Sequence, residues 1–409
     1  MRIKIKMDHM DGEFNNFIMV WTIAASTMCY CHTIGKFIPQ GKTRILAVFP
    51  AILILLLLPL RLTSVHLGGP TSFILGWLST FKLLLFALGK GPLSSKPPLS
   101  LSYFIFVSLL PIKLFQQHQP SPSNTQNNRD SQGISLKPNR VREKADECNL
   151  THIPREDVSR NTQNSQITKN GHKSSPVNYS FAIIVIVLTL LIPIYAKNEI
   201  LHPKFKLFLY SLHMYIGLEF ILASISLLVR KLLGIKLEPQ FNKPYLCTSL
   251  QDFWGKRWNL MVNQILHPTI YEPVVNVSTR VIGRKWAPLP AIISTFAVSG
   301  LMHELVFYYV KREKRTFEAW EPSWDSMCFF LLHGVCLAIE VSVKKVLKGK
   351  WKLPRLVSWP LTVVFVIYTA LLLFLPALVR SHVFEKEIKE LNAIVEFGMD
   401  LYGNYFLKK

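Results

Sequence analysis

The sequence predicts an all-α, polytopic integral membrane protein with about eight to nine transmembrane helices. Three observations carry this. The 409 residues are 50% hydrophobic and only 18% charged, with a mean hydropathy of +0.26. The apolar residues are gathered into long blocks, which suits bilayer spans better than one large soluble core. Most charges fall in short connectors between those blocks, and the formal balance is +22 with a pI near 9.7. Basic connectors follow the positive-inside pattern, so membrane lipid is an expected partner and nucleic acid is not.

The elements follow in order. Residues 1–13 are polar. The apolar block at 17–34 has no small-residue cleavage pattern after it, so it reads as a retained first span rather than a signal peptide. Residues 45–60 are a Leu-rich second span ending at Arg61. The third, 72–88, carries Trp77, Phe81 and Lys82, and Gly89-Lys-Gly-Pro92 ends it. Lys82 is expected near an interface or turned into the bundle. The short fourth block, 99–115, reads as a span, a re-entrant piece or an interfacial one.

Residues 116–178 are different material, rich in Asn, Gln, Ser, Lys and Arg and free of aromatic residues. Such a segment cannot bury enough apolar area to offset its ordering entropy, and a disordered loop is expected. It holds His152-Ile-Pro-Arg-Glu-Asp157, the His-x4-Asp spacing of soluble-faced glycerolipid acyltransferases. Pro154 interrupts it and the loop offers no scaffold, so it reads as a chance match.

The fifth span is 181–195 and the sixth 205–229, with His213 and Glu219. A mixed polar and aromatic stretch occupies 237–288. The seventh span, 289–310, carries His303; the eighth, 327–343, carries His333 and Glu340; the ninth, 356–379, is broken by Pro376. The tail is amphipathic. The chain thus divides into N-terminal transmembrane helices (1–115), the loop (116–178) and a core (179–409). If every block crosses once, the N-terminus, the 116–178 loop and the 230–288 connector share one side, and their basic charge makes it cytosolic. Lys311-Arg-Glu-Lys-Arg315 then falls on the lumenal side, against the rule. The six cysteines form no CxxC pair, which suggests neither a zinc site nor a disulfide framework.

Two stretches can carry chemistry. The first is residues 296–310, an apolar run with His303 and Glu304 near its middle. An ionisable side chain at mid-bilayer costs roughly 2.5–3.5 kcal/mol on insertion scales, so it faces a protein interior or a wet cavity and marks function by default. His303 is either a hydrogen-bonded interhelical histidine or a general base. Glu304 lies about 100° further round the helix and is expected to pair elsewhere, with the Lys311–Arg315 cluster as a candidate; Ser299 shares the His303 face. His333, Glu340 and Lys344 line one face of the eighth span as a polar seam. The second stretch is Leu250-Gln-Asp-Phe-Trp-Gly-Lys256-Arg257-Trp258-Asn259-Leu-Met-Val, amphipathic, cationic and twice tryptophan-bearing. It reads as an interfacial helix, or as a place where Lys256 and Arg257 meet an anionic cofactor while Asn259 turns toward a cavity. No Gly-x-Ser-x-Gly elbow, P-loop or His-Glu-x-x-His helix is present, which removes the serine-hydrolase, nucleotidase and zinc-protease classes.

At these stretches the chain resembles the plant wax synthase group of the membrane-bound O-acyltransferase family. The likeness lies in Ser249-Leu-Gln-Asp-Phe-Trp-Gly-Lys-Arg-Trp-Asn259, in Val298-Ser-Gly-Leu-Met-His303-Glu304, in Phe329-Phe-Leu-Leu-His333-Gly334 and in the Trp77 to Pro92 stretch. The resemblance implies an internal reaction chamber and acyl transfer from acyl-CoA to the hydroxyl of a long-chain fatty alcohol. It implies a multi-pass protein of the endoplasmic reticulum membrane. Carried over, His303 is the catalytic base and Asn259 the second active-site residue, with Lys256, Arg257 and Trp258 at the acyl-CoA. No metal or cofactor is expected beyond acyl-CoA as co-substrate. A sterol or diacylglycerol is the alternative acceptor. From another class, a lipid transporter would use His303 and Glu340 as a proton relay. Two departures from the group are a 116–178 insertion longer than expected and residues 1–9, which read as an extension before a native start at Met10.

Overall fold

The structure is a computed structural model and describes residues 2–95, 97–111, 187, 202–233, 239–312, 319–347 and 353–406. Every regular element among them is helical. These are α1 (Arg2–Phe37), α2 (Lys42–Leu57), α3 (Val65–Thr71), α4 (Thr80–Ala87), α5 (Leu101–Leu109), α6 (Pro203–Leu233), α7 (Leu260–Leu266), α8 (Glu272–Ile282), α9 (Pro288–Lys311), α10 (Asp325–Val346), α11 (Arg355–Thr369), α12 (Leu375–Arg380) and α13 (Val383–Phe406). Wider π-helical stretches interrupt or join them at Ser72–Ser79, Phe253–Arg257, His267–Tyr271 and Ala370–Phe374. One unit of the chain comprises residues 1–114 and 175–409; the other, 115–174, lies outside the described residues with His152 and Asp157.

Seven helical segments among the described residues are long and apolar enough to cross a bilayer: Gly12–Phe37, Lys42–Arg61, Val65–Ser94, Phe205–Lys231, Pro288–Lys311, Asp325–Val346 and Arg355–Arg380. They match the first three and last four expected spans. Among its described residues the fourth block forms the nine-residue α5, about half of what a crossing needs. The fifth, apart from residue 187, lies outside the described residues.

Lys82 explains how α5 is held. It is 1% exposed, and its Nζ donates to the carbonyls of Val107 and Leu110, each at 2.7 Å. Its amine thereby closes the C-terminal end of a short helix, where backbone acceptors lack intrahelical partners. Helices α9 and α10 pack through small residues. A Cβ built on Gly300 would stand 3.1 Å from Met327 Cα, and one on Gly334 would stand 2.9 Å from Phe296 Cβ. Each glycine therefore admits the partner helix, and the two together bring the backbones close.

The two ends of the bundle differ. At one end Glu13 accepts from the backbone N–H of Thr63 (2.6 Å) and Ser64 (2.8 Å), while Glu390 of α13 accepts from Val65 N (2.7 Å) and His66 Nδ1 (2.6 Å). Lys386 donates to the last carbonyls of α9, and Arg380 pairs with Asp325. At the other end Arg44 caps the Gly35 and Ile38 carbonyls, Lys90 pairs with Glu272 at 3.2 Å, Lys345 donates to Lys285 O, and Trp359 donates to Tyr245 O. The expectation that the N-terminus and the 230–288 connector share a side is therefore corrected: Glu13 lies at one end and 243–287 at the other. Lys36, Lys42, Lys90, Lys243, Lys256, Arg284, Lys285, Lys344 and Lys345 gather at the end that holds 243–287. Arg312, in the connector that broke the rule, is buried and donates to Leu60 O at 3.0 Å. It serves as a helix cap rather than as a connector charge.

Candidate active site

His303 lies about two-thirds of the way along α9 and turns inward. Its ring meets Trp77 edge-on at 5.1 Å, Phe330 at 4.4 Å and Phe374 edge-on at 5.5 Å between centroids. Those rings come from three other segments, yet the imidazole remains half-buried rather than sealed. Trp77 stands in the π-helical stretch Ser72–Ser79, and Phe374 ends the one at Ala370–Phe374. Such wide turns are rare and gather at functional sites.

The hydrogen bonding of the ring fixes its chemistry. Nδ1 lies 2.8 Å from the Ser299 carbonyl. A carbonyl can only accept, so in the neutral ring the proton is on Nδ1 and the Nε2 lone pair is available. The nearby His333 is the opposite case. Trp254 Nε1–H donates to its Nδ1 at 3.1 Å, so Nε2 carries the proton and donates to Thr369 Oγ1 at 2.8 Å. Thr369 in turn donates to the Phe365 carbonyl. Both nitrogens of His333 are engaged in a chain that ties the 250–257 segment to α10 and α11. Glu340 and Lys344 extend this anchor: Glu340 accepts from Leu250 N (2.8 Å), and Lys344 pairs with Glu340 and reaches Gln251. The polar seam of α10 is the dock for that segment. Glu304 is corrected: it is buried and accepts from Ser326 at the start of α10, rather than pairing with the Lys311–Arg315 cluster.

The 250–262 stretch is not one helix. It is a turn at Leu250–Asp252, the π-helical Phe253–Arg257, a break, and then α7. The break is Asn259, in the left-handed conformation at φ 41° and ψ 60°. Asparagine tolerates this region better than most residues. Its Oδ1 accepts from Val262 N as the N-cap of α7, which leaves the Nδ2 hydrogens for another acceptor. The helix so capped carries Met261 and Val262 into one cluster with Trp77 of the 72–79 stretch and Met302 of α9. Asn259 thus caps a helix that packs against Trp77, and Trp77 in turn meets His303.

The other three expected residues divide. Lys256 is exposed. Arg257 is engaged: its Nε pairs with Asp252 at 2.6 Å, and Nη1 donates to the carbonyls of Asn242 and Lys243. Trp258 stacks on Phe253 at 5.4 Å and Tyr215 at 5.9 Å, with Phe241 edge-on. Two polar groups that the sequence did not single out also stand here. Trp77 Nε1 and both amide atoms of Gln240 are buried without a hydrogen-bond partner among the described residues.

Asn259 and His303 both fall inside the segment that matches a family of known proteins. Residues 237–332 match the Membrane bound O-acyl transferase family. A long-chain-alcohol O-fatty-acyltransferase of Simmondsia chinensis is 41% identical over 93% of this chain and 94% of its own length. The acyl-CoA–sterol O-acyltransferase 1 of Arabidopsis thaliana is 39% identical over 94% of this chain and 97% of its own. The chain belongs to the membrane-bound O-acyltransferase family. Further similarity extends to the probable long-chain-alcohol O-fatty-acyltransferase 1 of Arabidopsis thaliana, 35% identical over 95% of this chain. As a membrane-bound O-acyltransferase, the protein combines two features of its own geometry with that membership: a histidine with one open nitrogen, and a kinked asparagine with an open donor.

Proposed function

We propose that this membrane-bound O-acyltransferase moves an acyl group from acyl-CoA to the hydroxyl of a long-chain fatty alcohol, forming a wax ester. The observation that carries the reading is the open Nε2 of His303 inside a ring of aromatic side chains. Nε2 takes the hydroxyl proton as the alcohol oxygen attacks the thioester carbonyl. The resulting oxyanion accepts from Asn259 Nδ2. Collapse breaks the carbon–sulfur bond, and the leaving thiolate takes the proton from the imidazolium, giving free CoA and a neutral ring. No group beyond the two substrates is needed. Lys256, exposed at the basic end, meets the CoA phosphates, while Arg257 and Trp258 hold the local backbone. That end faces the cytosol, where acyl-CoA is met, and the endoplasmic reticulum is the membrane.

The relatives that act by name on long-chain alcohols and on sterols are nearly equal in identity, so the acceptor is settled by assay. A transporter using His303 and Glu340 as a relay is disfavoured, because Glu340 caps the Leu250 turn and pairs with Lys344. Microsomes containing the protein are fed labelled acyl-CoA with hexadecanol, a sterol or diacylglycerol. Wax ester as the main product supports the proposal. Steryl ester or triacylglycerol in its place moves the acceptor assignment, and no ester with any of the three rejects the reading.

A further inference from the structure

Gln240 carries a buried polar group that the reaction above does not use. Its side chain belongs to a residue 5% exposed, and neither Oε1 nor Nε2 has a partner among the described residues. A primary amide taken out of water unpaired is unfavourable, and such groups are uncommon enough in folded proteins to require an explanation. Its position is well defined. The Gln240 carbonyl accepts from Leu260 N at 3.0 Å, and Asn242 N donates to the Arg257 carbonyl at 2.9 Å. Residues 240–242 therefore lie alongside 257–260, with Gln240 against the peptide that joins Asn259 to Leu260. The next residue, Phe241, packs on Tyr215 and Trp258, which fixes the backbone from the other side.

A carboxamide presents an acceptor and a donor side by side, and another amide satisfies both. Of the two substrates, only the acyl-CoA contains one. Its acyl chain is apolar, its nucleotide end is anionic, and the arm between them holds two amides, the nearer separated from the sulfur by two methylene groups. The alcohol offers a single hydroxyl. We infer that Gln240 binds the amide of acyl-CoA nearest the sulfur, and so holds the thioester at Asn259. The inference rests on acyl-CoA being the donor, as proposed above.

The full-length protein in microsomes is assayed with hexadecanol and three donors. These are palmitoyl-CoA, the palmitoyl thioester of N-acetylcysteamine, which keeps the near amide and drops the rest, and S-butyl thiopalmitate, which has no amide. Gln240→Leu is expected to raise KM about tenfold for the first two donors with little change in kcat. With the third donor, wild type and variant are expected to match. Gln240→Glu, which keeps the shape and the acceptor but loses the donor, gives the same pattern where the Leu variant does not fold. An unchanged KM for palmitoyl-CoA overturns the assignment, as does an equal loss with the amide-free donor, which marks a purely structural residue. Failure of the wild type to use palmitoyl-CoA with hexadecanol, a sterol and diacylglycerol alike overturns the donor reading itself, a result distinct from the other two.

Discussion

His303→Phe separates the base from the packing. Phenylalanine keeps a ring between Trp77, Phe330 and Phe374 but has no nitrogen to accept a proton. The lost Nδ1–H bond leaves no orphan, since the Ser299 carbonyl also lies within reach of the α9 backbone. The loss therefore falls on chemistry. A positioned general base contributes about 10²–10⁴-fold, equivalent to about 2.7–5.4 kcal/mol of barrier. kcat is expected to fall by that factor, with the KM for acyl-CoA and the thermal unfolding midpoint close to wild type. His303→Ala loses the same catalysis and about 2–4 kcal/mol of stability as well, because the ring is not replaced. His333→Phe is the control. It strands the Trp254 N–H and costs about 1–3 kcal/mol of stability, while the folded fraction keeps its kcat. The assay is ester formation from labelled acyl-CoA, normalised to folded protein by size-exclusion profile. Wild-type turnover in His303→Phe, or a specific kcat loss only in His333→Phe, refutes the assignment of the base.

Three further outcomes are expected. Asn259→Gly relieves the left-handed backbone that Asn259→Ala strains by about 1–2 kcal/mol, so Gly is the more stable of the two; both lose ester formation where the carboxamide acts in the reaction, and an active Gly variant would reduce Asn259 to a backbone role. Lys82→Met leaves the Val107 and Leu110 carbonyls unpaired and lowers stability by about 1–3 kcal/mol, read as a lower unfolding midpoint in detergent. Burial pushes the Glu390 carboxyl up, but hydrogen bonds from His66, the Val65 and His66 backbone and Ser64 outweigh it and hold its pKa below the ordinary value. Its contribution is therefore present above the unfolded carboxylate pKa of about 4.3 and is lost as pH falls through the lower folded value. The gap in unfolding midpoint between wild type and Glu390→Gln should be steady from about pH 6 to 5, narrow above about pH 6.5 as His66, whose pKa the same carboxylate raises, loses its proton, and close below roughly pH 4.

The spans were legible because length and apolarity are local properties, and His303 stood out because an imidazole amid residues 296–310 has no cheap place in lipid. What was not legible depends on partners far along the chain. Periodicity put His333, Glu340 and Lys344 on one face, but not that Trp254, 79 positions away, would bond the histidine. Glu304 pairs with Ser326 rather than with the nearer cations because α10 packs directly against that face of α9. Asn259 was readable as a polar residue at the end of an amphipathic run. Its left-handed kink was hidden, since the surrounding pattern is that of an unbroken helix. Trp77 opened one of the stretches that carry the resemblance, but nothing local marked its approach to His303. Gln240 carried no signal at all: a single amide in a mixed segment looks like surface until the backbone around it is seen.

The interlock of Gly300 and Gly334 bears on product quality. Water is the ubiquitous rival of any alcohol for an activated thioester, and it needs only a narrow leak between helices to arrive. With Met327 seated over Gly300 and Phe296 over Gly334, the helix joint one turn from His303 is shut on that flank. A side chain forced into either position pries the joint open, so the first symptom is free fatty acid accumulating at the expense of ester while CoA is still released at a near-normal pace.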